Sequence, residues 1–333
     1  MDQGMRSLDA EDVRPDIAYM LEQAVKAPSG HNAQPWLFRV GDDWVQILPN
    51  TSKSLPVVDP DNRELFIGLG CAVENLCVAA RARGYDVELD FSKAGEITVG
   101  MLRGQVDEES VRQLRWLSER QTNRSVYTGE RISPEVLAYL REIPLEKFVG
   151  LRLWARDEEA FSQVASCIYE GNERQLGDPL FKRELRTWMR FNKRHERAMS
   201  DGLSYAVFGA PNLPRFLSEP VMTGVLRSDW QSQGDRKRLE SASHIAIFTL
   251  QKEGITEWIG LGRSLQRFLL RVAACGCACS FLNQPCEVSD LASGLADALS
   301  LEGESVELIL RLGYAKRRMP CSPRVPWREK LVR

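Results

Sequence analysis

The segment at residues 27–36, APSGHNAQPW, gathers side chains that form hydrogen bonds while carrying hardly any charge. A proline and a glycine break the preceding helical pattern, and Ser29, Asn32 and Gln34 then supply neutral donors and acceptors on a constrained backbone. Such a set suits the edge of a planar heterocycle that carries carbonyls and ring nitrogens. A capping turn, in which Asn32 and Gln34 satisfy backbone groups, fits the same residues equally well.

Two further stretches place arginines where an anion could bind. In ERQTNRSVYTGERIS, Arg120, Thr122 and Arg124 alternate, so an extended segment would point all three side chains the same way. Two guanidinium groups beside a hydroxyl match a phosphate monoester. Arg324 lies in RRMPCSPRVPW, where three prolines stiffen the chain. An ordinary solvated basic segment is the alternative for both stretches.

Length, composition and charge are those of an ordinary soluble globular chain. Its 333 residues suit two domains or one fold with a duplicated core. Its 43% of hydrophobic residues is ordinary for such a chain. Its net charge of −2 gives no overall electrostatic attraction to nucleic acid or to an anionic membrane. No apolar run approaches the ~20 residues that span a bilayer, and the polar N-terminus does not resemble a secretory signal. We therefore expect a cytoplasmic protein.

The eight cysteines favour packing roles over a metal site. CGCACS places three of them at alternate positions, no Cys-x-x-Cys occurs, and the three histidines are isolated. Zinc sites use paired spacing, commonly with histidine partners, so we expect no bound metal.

A short repeat indicates that the chain contains two related halves. FIGLG at 66–70 reappears as WIGLG 192 residues later, and at the same offset Gly84 falls on Gly276. Both copies have helical spacing and would end near the second glycine, a residue suited to a left-handed C-terminal position. We expect an N-terminal half over 1–112 and a C-terminal half over 113–333. Chance similarity of two amphipathic helices is the alternative.

The coarse secondary structure mixes helices and strands. Helices are predicted over about 14–27 and 63–83, with a hairpin of WLFRV and WVQILP between them. SPEVLAYLREI has a serine N-cap followed by proline, and LRLWA, HIAIFTL and VELILRLGYA have the composition of buried strands. The prediction is an α+β fold with helices flanking a mostly antiparallel sheet in each half.

Residues of about 172–235 interrupt the second half as a helical insertion. The segment begins with an apolar stripe (Leu185, Trp188 and Met189) and a basic stripe (Arg183, Arg186, Arg190, Arg194 and Arg197). It is either a lid over a binding site or an amphipathic surface helix.

Together these stretches resemble the nitroreductase family, flavoproteins that hold FMN at a dimer seam. APSGHNAQPW resembles the family's Pro-Ser-x-x-Asn-x-Gln-Pro-Trp segment, which contacts the isoalloxazine ring. RQTNR resembles its Arg-x-Ser-x-Arg phosphate motif, with Thr122 in place of the serine, and Arg324 matches a C-terminal basic residue of the phosphate site. Since the ring motif lies in the first half and the phosphate motif in the second, the chain resembles the tandem, Acg-like members and would be a single-chain pseudodimer with one complete site.

The resemblance implies a set of cofactor contacts. The ring contacts are Pro28, Ser29, His31, Asn32 and Gln34; the phosphate and ribityl contacts are Arg120, Thr122, Arg124 and Arg324; and Ser280, Phe281 and Leu282 present their backbone to the ring face. His31 is the titratable group of the first motif and is a candidate proton donor. Shaping the loop is the role we favour for it.

The resemblance also implies the activity. An FMN-dependent oxidoreductase would move hydride from NAD(P)H through flavin N5 to a nitroaromatic or quinone-like acceptor by a ping-pong mechanism. No Gly-x-Gly-x-x-Gly occurs, so NAD(P)H would be a transient substrate rather than a resident cofactor. An FMN-sequestering protein and a dehydrogenase of a biosynthetic pathway are the alternatives. We expect a monomer that acts on small molecules.

Overall fold

The computed structural model describes residues 7–224, 234 and 236–332. The chain forms two compact units, each made of several chain segments. Unit 1 comprises Met1–Arg120, Gly254–Leu270 and Arg324–Arg333, and unit 2 comprises Gln121–Glu253 and Arg271–Pro323. These units group residues by contact, so they do not test the sequence halves 1–112 and 113–333.

Unit 1 contains one four-stranded sheet and the helices that cover it. Its elements are α1 (Pro15–Ala24), β1 (Trp36–Val40), β2 (Trp44–Pro49), α2 (Arg63–Ala82), β3 (Tyr85–Phe91), β4 (Ile97–Arg103) and α3 (Glu108–Glu119). The strands lie in the order β1-β2-β4-β3, and every neighbouring pair is antiparallel. Alternate residues of β1 are buried, as expected for a strand with one face against a core.

Unit 2 contains a second four-stranded sheet and a longer set of helices. The elements before its second long strand are α4 (Pro134–Arg141), β5 (Val149–Ala155), α5 (Glu159–Gly177), α6 (Pro179–Trp188), β6 (Met189–Arg190), α7 (Lys193–Met199), β7 (Leu203–Ser204) and α8 (Arg215–Gly224). They are followed by β8 (His244–Leu250), α9 (Ile255–Ala274), β9 (Ala278–Phe281), α10 (Ser289–Ala298) and β10 (Ser305–Gly313). Helix α9 begins in unit 1 and ends in unit 2.

The two sheets have the same topology. The second sheet has the order β5-β8-β10-β9, again antiparallel throughout. This is the order of the first sheet if β5, β8, β9 and β10 are matched to β1, β2, β3 and β4. The predicted α+β class and mostly antiparallel sheets are therefore confirmed.

The repeated motif forms two helices of equal length. Helices α2 and α9 each have 20 residues, and both of their ends are 192 residues apart. Each is followed by a left-handed glycine, Gly84 with φ +75° and Gly276 with φ +66°. A strand follows each glycine. The predicted helices and their glycine ends are confirmed, and the duplication that would explain them remains a prediction.

Within unit 1, α2 and the first part of α9 cross at their glycines. A Cβ atom on Gly70 would overlap the carbonyl oxygen of Ile259, and one on Gly262 would overlap that of Ile67. The partners in this crossing exchange roles at the repeat offset, which is the signature of a local two-fold contact. The rings of the aromatic pair that precedes these glycines, Phe66 and Trp258, stack with centroids 6.3 Å apart.

A buried polar layer next to this crossing ties α9 to α2 and α1. Glu74 accepts hydrogen bonds from Nε of Arg263 at 3.0 Å and of Arg267 at 2.8 Å. Burial alone would raise the pKa of Glu74, but Arg267 and Arg263 together hold it below its ordinary value. Beside it, Gln266 donates to the side chain of Asn75 at 2.6 Å, and Asn75 donates to a carbonyl of α1 at 3.1 Å. The layer fixes the end of α1.

Helix α2 is long and apolar enough by composition to cross a membrane. Its most apolar window is nevertheless 94% buried inside the protein. It is a core helix of unit 1.

The predicted stripes over residues 183–197 require one helix, and the structure has two shorter helices there. Helix α6 ends at Trp188, and the next two residues form β6, which pairs in parallel with β7. Arg190 is buried there, and its Nη2 lies 2.6 Å from Oδ1 of Asp201. The predicted basic stripe is therefore wrong at this position, because the chain leaves the helix and the guanidinium finds a buried carboxylate. Residues 225–233 and 235 of the expected lid lie outside the described residues.

Candidate functional site

The APSGHNAQPW segment forms a tight loop between α1 and β1 in unit 1. Ser29 is extended, and its Oγ accepts a hydrogen bond from the backbone N of Gln34 at 2.9 Å. One 3₁₀ turn over Gly30–Asn32 lies inside this closure, with Asn32 N donating to the Ser29 carbonyl at 3.0 Å. The serine therefore closes the loop through its side chain and its backbone.

Three residues of the loop have an energetically unfavourable backbone conformation. His31, Asn32 and Gln34 have φ values of 49°, 57° and 55°. Residues other than glycine rarely adopt the left-handed region, and each such residue costs on the order of 1–3 kcal/mol. Three in four positions require surrounding contacts that hold them, and such strain is typical of functional sites.

Helix α2 supports the loop from below. Gly68 lies against it, since a Cβ there would sit 3.5 Å from Cβ of Ser29. Gly30 lies closer still to Glu64, because an added Cβ would come within 2.9 Å of the carboxylate. The loop therefore rests on the helix with little room for larger residues.

Two guanidinium groups converge on the turn that follows α1, directly before this loop, and the ammonium of Lys26 lies at the same helix end. Nη2 of Arg120 donates to the Lys26 carbonyl at 3.0 Å, and Nη2 of Arg324 donates to the carbonyls of Lys26 and Ala27 at 3.4 and 3.2 Å. The ammonium of Lys26 donates to Gln23 and to a serine of α3. Burial lowers the pKa of Lys26, and the nearby Glu22 opposes this.

The structure thus brings together two arginines that are 204 positions apart in the sequence. Both bind backbone carbonyls of the turn that follows α1, near the helix end where the backbone dipole favours cations. A guanidinium has five N–H donors, so binding these carbonyls through Nη2 is compatible with a second, anionic partner. Lys26 was missed in the sequence, although its place directly before the loop was a usable signal.

Gln34 is fully buried and joins the loop to the C-terminal segment. Its Oε1 accepts from Val325 N at 2.9 Å, and its backbone carbonyl accepts from Nζ of Lys330 at 2.8 Å. The local sequence pattern did not indicate these partners. The ring contact predicted for Gln34 stays a prediction.

After Arg120, the rest of the RQTNR segment lies in unit 2 and runs beside β9, the strand that carries Ser280 and Phe281. Thr122 forms a parallel bridge with Cys279 of β9, and Asn123 N donates to the Cys279 carbonyl at 2.8 Å. Thr122 is therefore a backbone neighbour of Ser280 and the residues that follow it. Arg124 is partly buried close by.

A buried arginine that the sequence reading missed fixes this segment. Arg311 on β10 donates through Nη2 to the carbonyls of Asn123 at 3.1 Å and Ser125 at 2.8 Å. Its guanidinium lies 3.9 Å from the ring centroid of Tyr127. These carbonyls flank Arg124, so Arg311 sets the backbone from which that side chain projects.

The segment Ser280, Phe281 and Leu282 presents little side chain to solvent. Ser280 is 4% exposed and Leu282 6%, and Leu282 belongs to the hydrophobic core of unit 2. Phe281 is partly exposed. The backbone contacts that the resemblance implies for these residues stay a prediction.

Among the described residues, no group of three or more His, Cys, Asp or Glu side chains is arranged to hold a metal ion. The cysteines there are free thiols.

No protein-family model matches the chain. Over 98% of its length it is 24% identical to a Mycobacterium tuberculosis protein named "Putative NAD(P)H nitroreductase", found in strains H37Rv and CDC 1551, and the match covers 94% of that protein. Solved structures with a similar fold include two nitroreductases. An FMN-dependent nitroreductase from Mycobacterium smegmatis in complex with NADPH covers 63% of this chain and 94% of its own, with 15% identity and a TM-score of 0.40. A nitroreductase with bound FMN from Desulfitobacterium hafniense covers 66% and 97%, with 16% identity and a TM-score of 0.41.

Proposed function

We propose that this chain, which is similar to NAD(P)H nitroreductases over nearly its whole length, binds FMN and passes hydride from NAD(P)H to a small electron-poor acceptor. The observation that carries the proposal is the strained Ser29–Gln34 loop with two arginines, Arg120 and Arg324, bound to the backbone directly before it. Nitroaromatic and quinone-like compounds are the proposed acceptors, and ping-pong exchange is the proposed kinetic order.

The residues of unit 1 suit the two ends of FMN. Lys26, Arg120 and Arg324 offer charge-assisted donors for a phosphate dianion. Ser29 and Asn32 supply neutral hydrogen-bonding groups for the heteroatoms of the ring. For Pro28, Thr122, Arg124 and the 280–282 segment, the family resemblance alone supports a contact with the cofactor.

FMN, when bound, would supply the hydride chemistry. The chain would orient the cofactor, neutralise its phosphate and leave one ring face accessible to successive substrates. No side chain of the site is required as an acid or base. His31 is the candidate proton donor to a reduced product, but its φ of 49° supports its role in shaping the loop.

The same proposal includes a duplicated chain. The identical strand order of the two sheets and the reciprocal glycine contact of α2 and α9 support related halves over 1–112 and 113–333. A monomeric, cytoplasmic pseudodimer with an insertion at about 172–235 is the arrangement we propose.

An anaerobic titration with NADPH tests turnover. We expect the yellow absorbance of the FMN-loaded protein to bleach with about one equivalent of NADPH and to return on adding menadione or nitrofurazone. A flavin that stays oxidised would contradict hydride transfer and favour the FMN-sequestering alternative. Bleaching without reoxidation by either acceptor would favour a dehydrogenase with a different, specific partner.

A further inference from the structure

The last residues of the chain run along the candidate loop and contact it at successive points. Val325 N donates to the side chain of Gln34 at 2.9 Å, and Nζ of Lys330 donates to its backbone carbonyl at 2.8 Å. Farther on, Val332 N donates to the Phe38 carbonyl at 2.9 Å, next to a parallel bridge between Leu331 and Phe38. The C-terminal segment therefore holds both Gln34 and the strand that follows it.

Lys330 is an unusual member of this contact. Lys330 is only 4% exposed. Its ammonium lies 5.7 Å from the ring centroid of Trp36 and 3.5 Å from the Trp36 carbonyl oxygen. Burying an ammonium is costly unless it is well hydrogen-bonded. Here it is directed at carbonyls on both sides of the junction between the loop and β1.

That junction is where the loop most needs support. Gln34 has a φ of 55°, and the loop closes through its backbone N, which donates to Oγ of Ser29. A left-handed residue other than glycine persists only where its surroundings over-determine it. The contacts to the side chain, the carbonyl and the backbone N of Gln34 together hold it in this conformation.

We propose that Lys330 is a positioning residue for the cofactor site. It holds Gln34 in the left-handed conformation, and through the Gln34–Ser29 bond it keeps the donors of Ser29 and Asn32 in place. It acts through the backbone carbonyls of Gln34 and Trp36 and does not contact the ligand. The inference rests on the proposed function only for the identity of that ligand, FMN.

The test compares Lys330→Met with Lys316→Met, which removes an exposed lysine that lies outside the loop and its contacts. Backbone hydrogen exchange is measured by mass spectrometry on flavin-free protein, and FMN affinity by quenching of flavin fluorescence. In Lys330→Met we expect exchange over residues 29–36 to rise at least tenfold, with α2 unchanged, and the FMN dissociation constant to rise at least tenfold. Lys330→Arg should restore most of both, and Lys316→Met should match the wild type.

Unchanged exchange over 29–36 in Lys330→Met would overturn the proposal, as would a rise spread equally over α2, because that pattern means general destabilisation. If Lys330→Met does not fold, Lys330→Gln decides by the same criteria, since its neutral amide relieves the buried charge but is too short to reach the Gln34 carbonyl. If the wild type binds no FMN while loop exchange responds as expected, the proposed function fails and the positioning role stands.

Discussion

Replacing Arg120 and Arg324 together with alanine is expected to weaken FMN binding at least about 100-fold. Each hydrogen bond to a charged group is worth roughly 1.5–3 kcal/mol, and each 1.4 kcal/mol is about tenfold in affinity. The two guanidinium groups share the Lys26 carbonyl, so their contributions need not add. Fluorescence titration of the single and double variants measures the loss and the coupling.

Riboflavin, which lacks the phosphate, separates this role from support of the loop. We expect the double variant to bind riboflavin as the wild type does and to lose its preference for FMN. Arg112→Ala, which removes an exposed arginine of α3, is the matched control and should change neither affinity. An equal loss of riboflavin and FMN affinity in the double variant would mean that the arginines only support the turn after α1.

Replacing Gly70 or Gly262 with alanine is expected to destabilise the protein by about 3 kcal/mol or more, at the upper end of overpacking effects. Each added methyl would overlap a carbonyl oxygen of the facing helix, and a backbone group cannot move aside as a flexible side chain can. Urea unfolding followed by circular dichroism gives the loss.

The two variants should lose similar amounts of folding free energy, because the two overlaps correspond in the repeat. The methyl at position 70 meets the carbonyl of Ile259, and the methyl at position 262 meets that of Ile67. Gly177→Ala, at the end of α5 with nothing near its Cβ position, should leave stability nearly unchanged. A cost at Gly70 without one at Gly262 would contradict the reciprocal contact, and with it the support for duplicated halves.

Local signals in the sequence were sufficient for the elements but not for their long-range partners. The helical spacing around FIGLG and WIGLG predicted α2 and α9, and Ser133 before a proline predicted the start of α4. The basic stripe failed at Arg190 because a helical period cannot reveal that the chain leaves the helix there. The pairing of that residue with Asp201 depends on the tertiary fold.

The candidate site shows the same division. Its neutral donors and its arginines were visible as residue types, whereas the meeting of Arg120 and Arg324 at one helix end was not. Lys330 and Arg311 gave no sequence signal, because a single cation acquires its role only from the carbonyls that the fold places around it. The contacts of Gln34 with Val325 and Lys330 were equally invisible, since these partners lie 291 and 296 positions away.

Titration of flavin-free wild-type protein with FMN tests the central claim most directly. The proposed site predicts saturable quenching of flavin fluorescence at about one FMN per chain, with riboflavin binding far more weakly. Absence of saturable FMN binding, or equal affinity for riboflavin, would contradict a flavin site at this loop that binds the FMN phosphate.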